Sequence, residues 1–386
     1  METSTIKASS TQSSGRDRID KLVIAIRRKA SIRIRIGTKR IMPGKEVRVG
    51  VNGFGVIGKR VAEAVTKQDD MKLIGISDIT PDYRVKMGQH KGYPIYVSIP
   101  EKLPEMKAAG VQVSGTLGDL LKQVDVIVDC TPAGIGARNK ATYDKAGVKS
   151  IFQGGEKHEL TGRSFVAQCN YKENLGAGST RVVSCNTTGI CRVVGSLSKG
   201  LGIERARVVL FRRGTDPWES HKTGLINTVV PEAHIPSHQG PDAKTVLHDL
   251  DIRTMAARGP FNIGHMHFAM IQLKDSFTKK DVLKVFNDAP RLAPVRASEG
   301  VDSMNAVSEV MRDLGRPRAD MWEVVYWEDI LDVVDGELNM VYQVHNESIV
   351  VPENVDAIRA LTGVEEDWRA SVAATDKSLG ITHTFI

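Results

Sequence analysis

Apolar and polar positions follow two different periods in the first half of the chain. Val47–Val51 alternates in hydrophobicity, which predicts a strand, and the following Arg60–Lys67 is typical of a helix. Further strands are predicted over Lys72–Ser77 and Val124–Asp129, and the second of these is apolar enough to be covered on both faces. Strands that alternate with helices predict an α/β fold with a doubly wound parallel sheet.

The second half of the chain has longer alternating segments. One predicted strand ends at Arg212 and Arg213. Another begins at His265, and His267 lies on the same face because side chains alternate along a strand. Beyond Pro352, apolar residues recur at helical spacing, which predicts a helix that packs back on the first half. We therefore expect an α+β domain with a mixed or antiparallel sheet after the α/β domain.

A glycine-rich turn joins the first predicted strand to the first predicted helix. Gly53, Gly55 and Gly58 have the spacing that allows a tight turn, close approach of the backbone to a pyrophosphate, and close packing of helix on strand. Asp78 ends the next predicted strand, where a carboxylate accepts hydrogen bonds from an adenosine ribose and repels a 2′-phosphate. The motif predicts a Rossmann-like domain that binds NAD, with NADP as the alternative. A glycine turn without a ligand, and an Asp78 that only caps its own turn, are the structural alternatives.

A second motif, SCNTTGICR over residues 184–192, places a cysteine where a predicted strand passes into a helix. At a helix N-terminus the Cys185 thiolate would be stabilised by the helix dipole and by free backbone N–H groups, which with the Asn186 amide would also hold an oxyanion. The alternative for such a cysteine is a small buried hydrophobe, which is our interpretation of Cys191. One imidazole of the His265 and His267 pair suits a base for the thiol. The sequence offers no third ligand beside them, so we predict no metal site.

Cationic side chains follow this motif. Arg212 and Arg213 at a strand end suit bidentate binding of a phosphate, and surface ion pairs are the alternative. Residues 236–242 are polar and begin and end with turn formers, which predicts a loop, and His238 within it either binds a phosphate or caps a turn.

The charge of the chain is concentrated at its N-terminus. The whole sequence has a net charge of +7, whereas residues 1–45 alone contain 12 lysines and arginines against 3 acidic residues. This segment is interpreted as a dispensable arm, a product of an upstream start codon with initiation at Met42, a transit-like presequence, or a basic arm for an anionic partner. No aromatic residue interleaves its basic positions, which disfavours nucleic-acid binding. Apolar runs too short for a bilayer and four cysteines without paired spacing favour a cytoplasmic protein.

Several motifs together resemble one family. They are VNGFGVIGKRVAEAV, KGYPIYVSIPE, DCTPAGIGARN, IFQGGEKHE, VVSCNTTGICR, RRGTDP, PSHQGPDAKTVL and HNESIVVPENVDAIRAL. From about Glu46 to about Gly380 the chain resembles the archaeal class of phosphorylating glyceraldehyde-3-phosphate dehydrogenases.

The resemblance implies roles for individual residues. Cys185 would be the nucleophile and His265 the catalytic histidine, with His267 as the alternative. The implied substrate contacts, with Arg212 added from the reasoning above, are Ser184, Asn186, Thr187, Arg212, His238 and Gln239. The implied cofactor contacts, with the turn glycines and Asp78 added, are Gly53, Gly55, Val56, Ile57, Gly58, Asp78, Gly155, Arg213 and Asn346. Gln239 departs from the family, which commonly has a second histidine there, and Asp78 departs from relatives with a basic residue.

The resemblance also implies an activity. It is the glycolytic or gluconeogenic oxidation of glyceraldehyde 3-phosphate, with inorganic phosphate and NAD(P), through a Cys185 thioester in a homotetramer. The alternatives are a semialdehyde or non-phosphorylating aldehyde dehydrogenase, and a binding protein that uses the basic arm. The predicted organisation is an extension over 1–45, a cofactor domain over 46–184, a catalytic domain over 185–347 and a returning helix within 348–386.

Overall fold

The computed structural model describes residues 46–153, 155–222 and 224–385. The basic segment 1–45 lies outside the described residues, and so do all of the interpretations of it. Among the described residues, the strands form two sheets of eight strands each.

The first sheet is parallel throughout and has the strand order β4-β3-β2-β1-β5-β6-β8-β7. Its strands are β1 (Val47–Asn52), β2 (Met71–Asp78), β3 (Ile95–Val97), β4 (Val113–Thr116), β5 (Val126–Asp129), β6 (Lys149–Phe152), β7 (Ser164–Phe165) and β8 (Ser179–Val182). The order reverses between β1 and β5, which lie side by side. In such sheets, ligands bind beyond the carboxyl ends of the strands at this reversal. The predicted doubly wound sheet is confirmed.

The second sheet is mixed, with the order β10-β11-β9-β12-β16-β14-β13 and β15 paired to β16. Its strands are β9 (Ile203–Arg213), β10 (Val230–Pro231), β11 (Ile252–Gly259), β12 (His265–Leu273), β13 (Leu292–Val295), β14 (Val324–Trp327), β15 (Asp332–Val334) and β16 (Glu337–Val344). Strand β9 pairs with β11 in parallel and with β12 in antiparallel fashion. The expected mixed sheet is therefore confirmed.

Helices cover both sheets. They are α1 (Val56–Val65), α2 (Tyr83–His90), α3 (Leu103–Ala108), α4 (Leu117–Leu121), α5 (Ile135–Ala146), α6 (Ala167–Asn170), α7 (Cys185–Gly200), α8 (Gln239–Lys244), α9 (Lys279–Asp288), α10 (Met304–Asp313), α11 (Val351–Thr362) and α12 (Trp368–Leu379). Helix α8 corrects one expectation, because the polar segment 236–242 was expected to be a loop. Its second half is helical since Gly240 packs against Thr254 and its N–H donates to the Thr254 hydroxyl at 3.1 Å.

Two helices position the site. Helix α7 follows β8 and lies against the second sheet so closely that a Cβ at Gly189 would come within 2.4 Å of Val344 in β16. Helix α11 is buried over almost its whole length and contacts α1, β6 and β8, so the chain returns to the first sheet after the second is complete. The main cluster of buried apolar side chains consequently runs through both sheets.

Candidate active site

Cys185 is the first residue of helix α7, as the sequence predicts. Ser184 is the N-cap, and its hydroxyl accepts a hydrogen bond from the backbone N–H of Thr187 at 3.3 Å. This cap satisfies one of the free N–H groups of the first turn and leaves the others directed toward the start of the helix. Cys185 is partly exposed, whereas Cys191 is buried in the core. The two cysteines of the motif are therefore in different environments.

The electrostatic surroundings of the Cys185 thiol act in opposite directions. Burial raises the pKa of the thiol above its ordinary value. Arg213, Arg212 and a hydrogen bond from the Asn186 backbone N–H act against this rise. The thiolate therefore depends on the two arginines at the end of β9 as well as on the helix.

His265 is the imidazole that faces the thiol. Its Nε2 lies 3.4 Å from the Sγ of Cys185, and its Nδ1 accepts the backbone N–H of Arg213 at 3.2 Å. Burial, together with the charge of Arg213, lowers the pKa of His265 well below its ordinary value, so the ring is neutral. A neutral ring that accepts at Nδ1 has its hydrogen on Nε2 and directs it to the sulfur.

His267 lies on the same buried face of β12 but contacts a different group. Its Nε2 is 2.8 Å from the Oδ1 of Asn186, and its ring packs edge-on against Tyr342 with 4.7 Å between centroids. Burial lowers the pKa of His267 to about 3. Of the two candidate histidines, the structure brings His265 to the thiol and His267 to the neighbouring amide.

The two arginines at the end of β9 both have carboxylate partners. Arg213 pairs with Asp216 at 2.6 Å, and Asn346 donates to the same carboxylate at 3.2 Å. Arg212 pairs with Glu232, whose other oxygen is 4.0 Å from the His238 ring. The ion-pair alternative is thus present at both arginines.

Unpaired polar atoms remain beside these ion pairs. The Nε of Arg212 and both side-chain amide atoms of Gln239 are enclosed and have no hydrogen-bond partner among the described residues. Gln239 is fully buried, whereas the side chain of His238 is 58% exposed. Burial and the charge of Arg212 lower the pKa of His238, so its ring is neutral near pH 7. Buried polar atoms normally have partners, so the unpaired atoms indicate a place for a polar ligand.

Thr187 is held from outside its helix. Its hydroxyl donates to Asp242 at 2.8 Å, and the other oxygen of Asp242 pairs with Arg181 at 2.6 Å. This chain of contacts ties the first turn of α7 to helix α8. The segment that contains His238 and Gln239 is thereby fixed relative to Cys185.

The glycine turn fits a dinucleotide pyrophosphate. A Cβ at Gly58 would meet the Gly53 carbonyl oxygen at 1.9 Å, and Gly53 itself has a φ of +89°. Gly55 is the N-cap of α1 and provides no side-chain cap, so the N–H groups at Val56 and Ile57 begin an open helix N-terminus. Such a terminus binds phosphate through its backbone and its dipole.

Asp78 lies at the end of β2 and turns toward the glycine turn. One carboxylate oxygen accepts the Phe54 N–H at 2.7 Å, and the other accepts the N–H groups of Ile79 and Thr80. The side chain therefore caps its own turn and also anchors the glycine turn. A carboxylate has further lone pairs, so these contacts are compatible with a ribose hydroxyl as an additional donor.

Two loops of the first sheet meet through an acidic residue. Glu156, which is buried, accepts the Gly134 N–H at 2.7 Å, just before helix α5. Gly155 precedes it with a φ of +90°, and Ala133 is its nearest neighbour. This contact holds both loops at the carboxyl ends of β5 and β6, where the remainder of a dinucleotide would lie.

Sequence reasoning missed four carboxylates that hold the site together, namely Glu156, Asp216, Glu232 and Asp242. Three of them, Glu156, Asp216 and Asp242, stand in quoted motifs, and two arginines at one strand end indicate nearby counter-charges. Glu232 has no motif and could be found only from its position in space. Among the described residues, no group of His, Cys, Asp and Glu could hold a metal ion. Within the same residues, no helix has both the length and the apolar character that a membrane span requires.

The two sheets and their junction define a class of protein. The first sheet is parallel and has an open glycine turn, and helix α7 joins it to a mixed sheet that brings a histidine to a cysteine. This is the arrangement of a two-domain NAD(P)-dependent oxidoreductase. Comparison of the sequence with family models agrees with it. Residues 47–155 match the family model described as "Dihydrodipicolinate reductase, N-terminus", and residues 184–329 match "Glyceraldehyde 3-phosphate dehydrogenase, C-terminal domain".

Curated relatives cover most of the chain. The glyceraldehyde-3-phosphate dehydrogenase of Methanobacterium bryantii is 47% identical over 335 residues, which are 86% of this chain and 99% of that protein. The corresponding proteins of Methanothermus fervidus and Thermococcus kodakarensis are each 46% identical, over 86% and 87% of this chain and 98% and 99% of their own lengths. The chain therefore belongs to the glyceraldehyde-3-phosphate dehydrogenase family, in its archaeal type.

Proposed function

We propose that this protein oxidises glyceraldehyde 3-phosphate with NAD(P) and transfers the resulting acyl group to inorganic phosphate, which gives 1,3-bisphosphoglycerate, in the cytoplasm. The observation that carries the proposal is the 3.4 Å contact between Cys185 Sγ and His265 Nε2 at the open start of α7. The names of the relatives support the substrate. A role in glycolysis or gluconeogenesis follows from this substrate.

The first step is attack on the aldehyde. Cys185 loses its proton to solvent, and the thiolate forms a bond to the aldehyde carbon while the carbonyl π electrons move to the oxygen. The product is a thiohemiacetal oxyanion. His265 donates a hydrogen bond from Nε2, first to the thiolate and then to this oxyanion. It can donate there because its Nδ1 accepts the Arg213 N–H, which leaves the ring hydrogen on Nε2. The assignment of His265 as the general base stays a prediction, since solvent accepts the Cys185 proton in these steps.

The second step is oxidation of the bound substrate. The open N-terminus of α1 would hold the pyrophosphate of NAD(P), which when bound would supply the hydride acceptor. Arg213, Asn346 and Gly155 are the proposed further contacts to it. Collapse of the oxyanion re-forms the carbonyl as hydride leaves, so Cys185 then carries a thioester.

The third step releases the product. A phosphate oxygen attacks the thioester carbon, the carbon–sulfur bond breaks, and Cys185 leaves as a thiolate, which gives an acyl phosphate. Arg212, His238 and Gln239 are the groups proposed to hold phosphate, because Arg212 Nε and the Gln239 amide are buried without partners in the described part of the chain. Gln239 contributes hydrogen bonds and no charge, unlike a histidine there. Ser184 and Thr187 are proposed to line the same substrate site.

We propose a preference for NAD over NADP. Asp78 is anchored to the glycine turn through Phe54, so its negative charge is fixed beside the place of the adenosine ribose. Comparing the dissociation constants of NAD and NADP in the protein and in Asp78→Asn tests this. The substitution should strengthen NADP binding relative to NAD, and an unchanged ratio would contradict the assignment.

We also propose a homotetramer with the predicted domain bounds of 46–184, 185–347 and 348–386. Met255, Val209 and Phe268 are cross-strand neighbours on one face of the second sheet, and Met255 and Phe268 are 52% and 39% exposed. An exposed apolar row of this kind on a sheet favours contact with a second copy. Light scattering tests the oligomeric state, and a stable monomer would contradict it.

The deciding experiment measures NAD reduction by glyceraldehyde 3-phosphate with and without inorganic phosphate, in the protein and in Cys185→Ser. We expect phosphate-dependent turnover that the substitution lowers by about 10⁴-fold or more. Turnover that is indifferent to phosphate would favour a non-phosphorylating dehydrogenase. Activity that survives in Cys185→Ser would contradict the thioester route.

A further inference from the structure

The steps above leave one buried group at the site without a role. His267 is fully buried on β12, its Nε2 is 2.8 Å from Asn186 Oδ1, and Asn186 directly follows the cysteine. The edge-on contact with Tyr342 fixes the plane of the ring. A buried imidazole that contacts the residue directly after a nucleophile is a candidate for a functional role.

The hydrogen on the His267 ring can be placed from the environment of its two nitrogens. Nδ1 is enclosed and has no hydrogen-bond partner among the described residues. A hydrogen on Nδ1 would be a buried donor without an acceptor, which is rarer and more costly than an unpaired acceptor. Because the ring is neutral, its hydrogen is on Nε2 and is donated to Asn186.

This donation decides which way the Asn186 amide faces. The group that receives an N–H must be the amide oxygen, so the hydrogens of Nδ2 are left for another acceptor. Asn186 Nδ2 makes no hydrogen bond to the described residues, yet it is not among their fully enclosed unpaired polar atoms. An amide donor with access to solvent therefore lies one residue from the reacting sulfur.

We propose that His267 is a positioning residue, which holds the Asn186 amide so that Nδ2 donates to the oxyanion formed on the carbon bound to Cys185. The inference rests on the proposed function for the identity of the aldehyde, but it concerns any carbonyl that Cys185 attacks. It also separates the two histidines, since His265 donates to the oxyanion directly and His267 acts through the amide.

Two reagents that react with Cys185 isolate this effect. Iodoacetamide alkylates the thiolate by displacing iodide, and no oxyanion forms. With p-nitrophenyl acetate, the thiolate bonds to the ester carbon, the carbonyl electrons move to oxygen, and collapse expels p-nitrophenolate to leave an acetyl thioester. The second reaction passes through an oxyanion and needs neither the cofactor nor glyceraldehyde 3-phosphate. Cys185→Ser serves as the blank for both.

The main variant is His267→Phe, which keeps a ring against Tyr342 but has no donor. We expect acylation by p-nitrophenyl acetate to fall about 10- to 100-fold, since one oxyanion donor is misdirected. Alkylation by iodoacetamide should keep its rate and its pH profile. His267→Gln, which places an amide N–H near the position of Nε2, should recover part of the acylation rate. Tyr342→Phe is the matched control and should leave both rates unchanged.

A double-mutant cycle completes the test. Asn186→Ala should lower acylation as His267→Phe does, and the double variant should be no slower than Asn186→Ala, because both changes remove the same donor. The proposal would be overturned if the losses of acylation rate in the two single variants added up in the double variant. It would also be overturned if His267→Phe lowered alkylation as much as acylation, or if it shifted the pH profile of alkylation. If wild-type protein acylates with this dependence on His267 but does not oxidise glyceraldehyde 3-phosphate, the proposed substrate fails and the positioning role stands.

Discussion

Buried polar side chains lie on or around helix α7 at two places, which differ in whether their polar atoms have hydrogen-bond partners. About two turns after Cys185, Arg192 is fully buried and donates to Glu353 at 2.6 Å and to the carbonyl oxygens of Trp322 and Ile349. Arg291 joins the same cluster, with Glu353 at 3.0 Å. Asp356 and Asp376, each 2.7 Å from Arg291, complete it.

The start of the helix has the opposite character. The Gln239 amide, Arg212 Nε and His267 Nδ1 are enclosed there without partners in the described chain. Since an unpaired buried polar group destabilises the fold, its presence calls for a ligand or a chemical role. Burial is therefore common to both places, and the difference lies in the unpaired atoms near the start of the helix, where we expect a ligand or a chemical role.

The largest expected effect is on stability, at the paired end. Glu353→Gln leaves Arg192 and Arg291 buried with one counter-charge fewer, so the free energy of unfolding should fall by about 3–5 kcal/mol. Urea denaturation measures it. Glu309→Gln, which removes an exposed ion pair with Arg312, is the control and should change it by about 0.5 kcal/mol or less. If Glu353→Gln lowered the free energy of unfolding no more than Glu309→Gln does, the buried cluster would not be more important for stability than an exposed ion pair.

The same cluster has a predictable response to acid. Burial alone would raise the pKa of Glu353, but Arg192 and Arg291 together bring it below its ordinary value. A carboxylate whose pKa is lower in the folded state than in the unfolded state contributes its full stabilisation of the fold above the unfolded pKa. This contribution decreases as the pH falls below that value. The difference in stability between the protein and Glu353→Gln should therefore be constant near neutral pH and shrink in acid.

The next effect is on substrate binding, at the unpaired end. Gln239→Met removes two buried polar atoms that have no partners in the described residues, so stability should stay the same or rise by about 1 kcal/mol. The KM for glyceraldehyde 3-phosphate or phosphate should rise about 10- to 100-fold. Gln153→Met is the matched control, because Gln153 accepts a hydrogen bond from Asn354 at 3.0 Å and its loss should lower stability. Equal destabilisation by both substitutions would show that Gln239 is structural.

The smallest effect is on the reactivity of the thiol. Arg213→Gln removes a cation that holds down the pKa of Cys185 but keeps the backbone N–H that orients His265. The rate of alkylation by iodoacetamide should rise with pH in both proteins. The midpoint of this rise should lie at higher pH in the variant, whose rate at neutral pH should be lower by a factor of up to about 10. Arg207→Gln, which changes a partly exposed arginine on the same strand that pairs with Asp251, should not move the midpoint. An unchanged midpoint in Arg213→Gln would mean that the thiolate depends on the helix alone.

Much of the site could be predicted because its parts are local in sequence. The glycine turn and the cysteine at a helix start follow from adjacent residues, and the shared face of His265 and His267 follows from alternation. The residue pattern alone did not decide between His265 and His267, since the choice depends on the register of β12 with β9 and on Arg213, and only the family resemblance favoured His265. The helical start at Gln239 and the partners of Arg192 depend on packing between distant segments. Asp78 caps its own turn, and it also anchors the glycine turn through Phe54, a contact that the sequence did not indicate; its binding of an adenosine ribose stays a prediction.

The buried helix α11 also bears on how the protein is made. It covers the first sheet, yet it is synthesised about 300 residues after β1. On the ribosome, the apolar surface that α1 and β6 present to this helix must wait until nearly the whole second sheet has been translated. The part of the chain that forms the first sheet thus acquires its last contacts only late in synthesis. The length of the chain between the two sheets' helices, about residues 185–347, sets the period in which chaperones can bind that apolar surface.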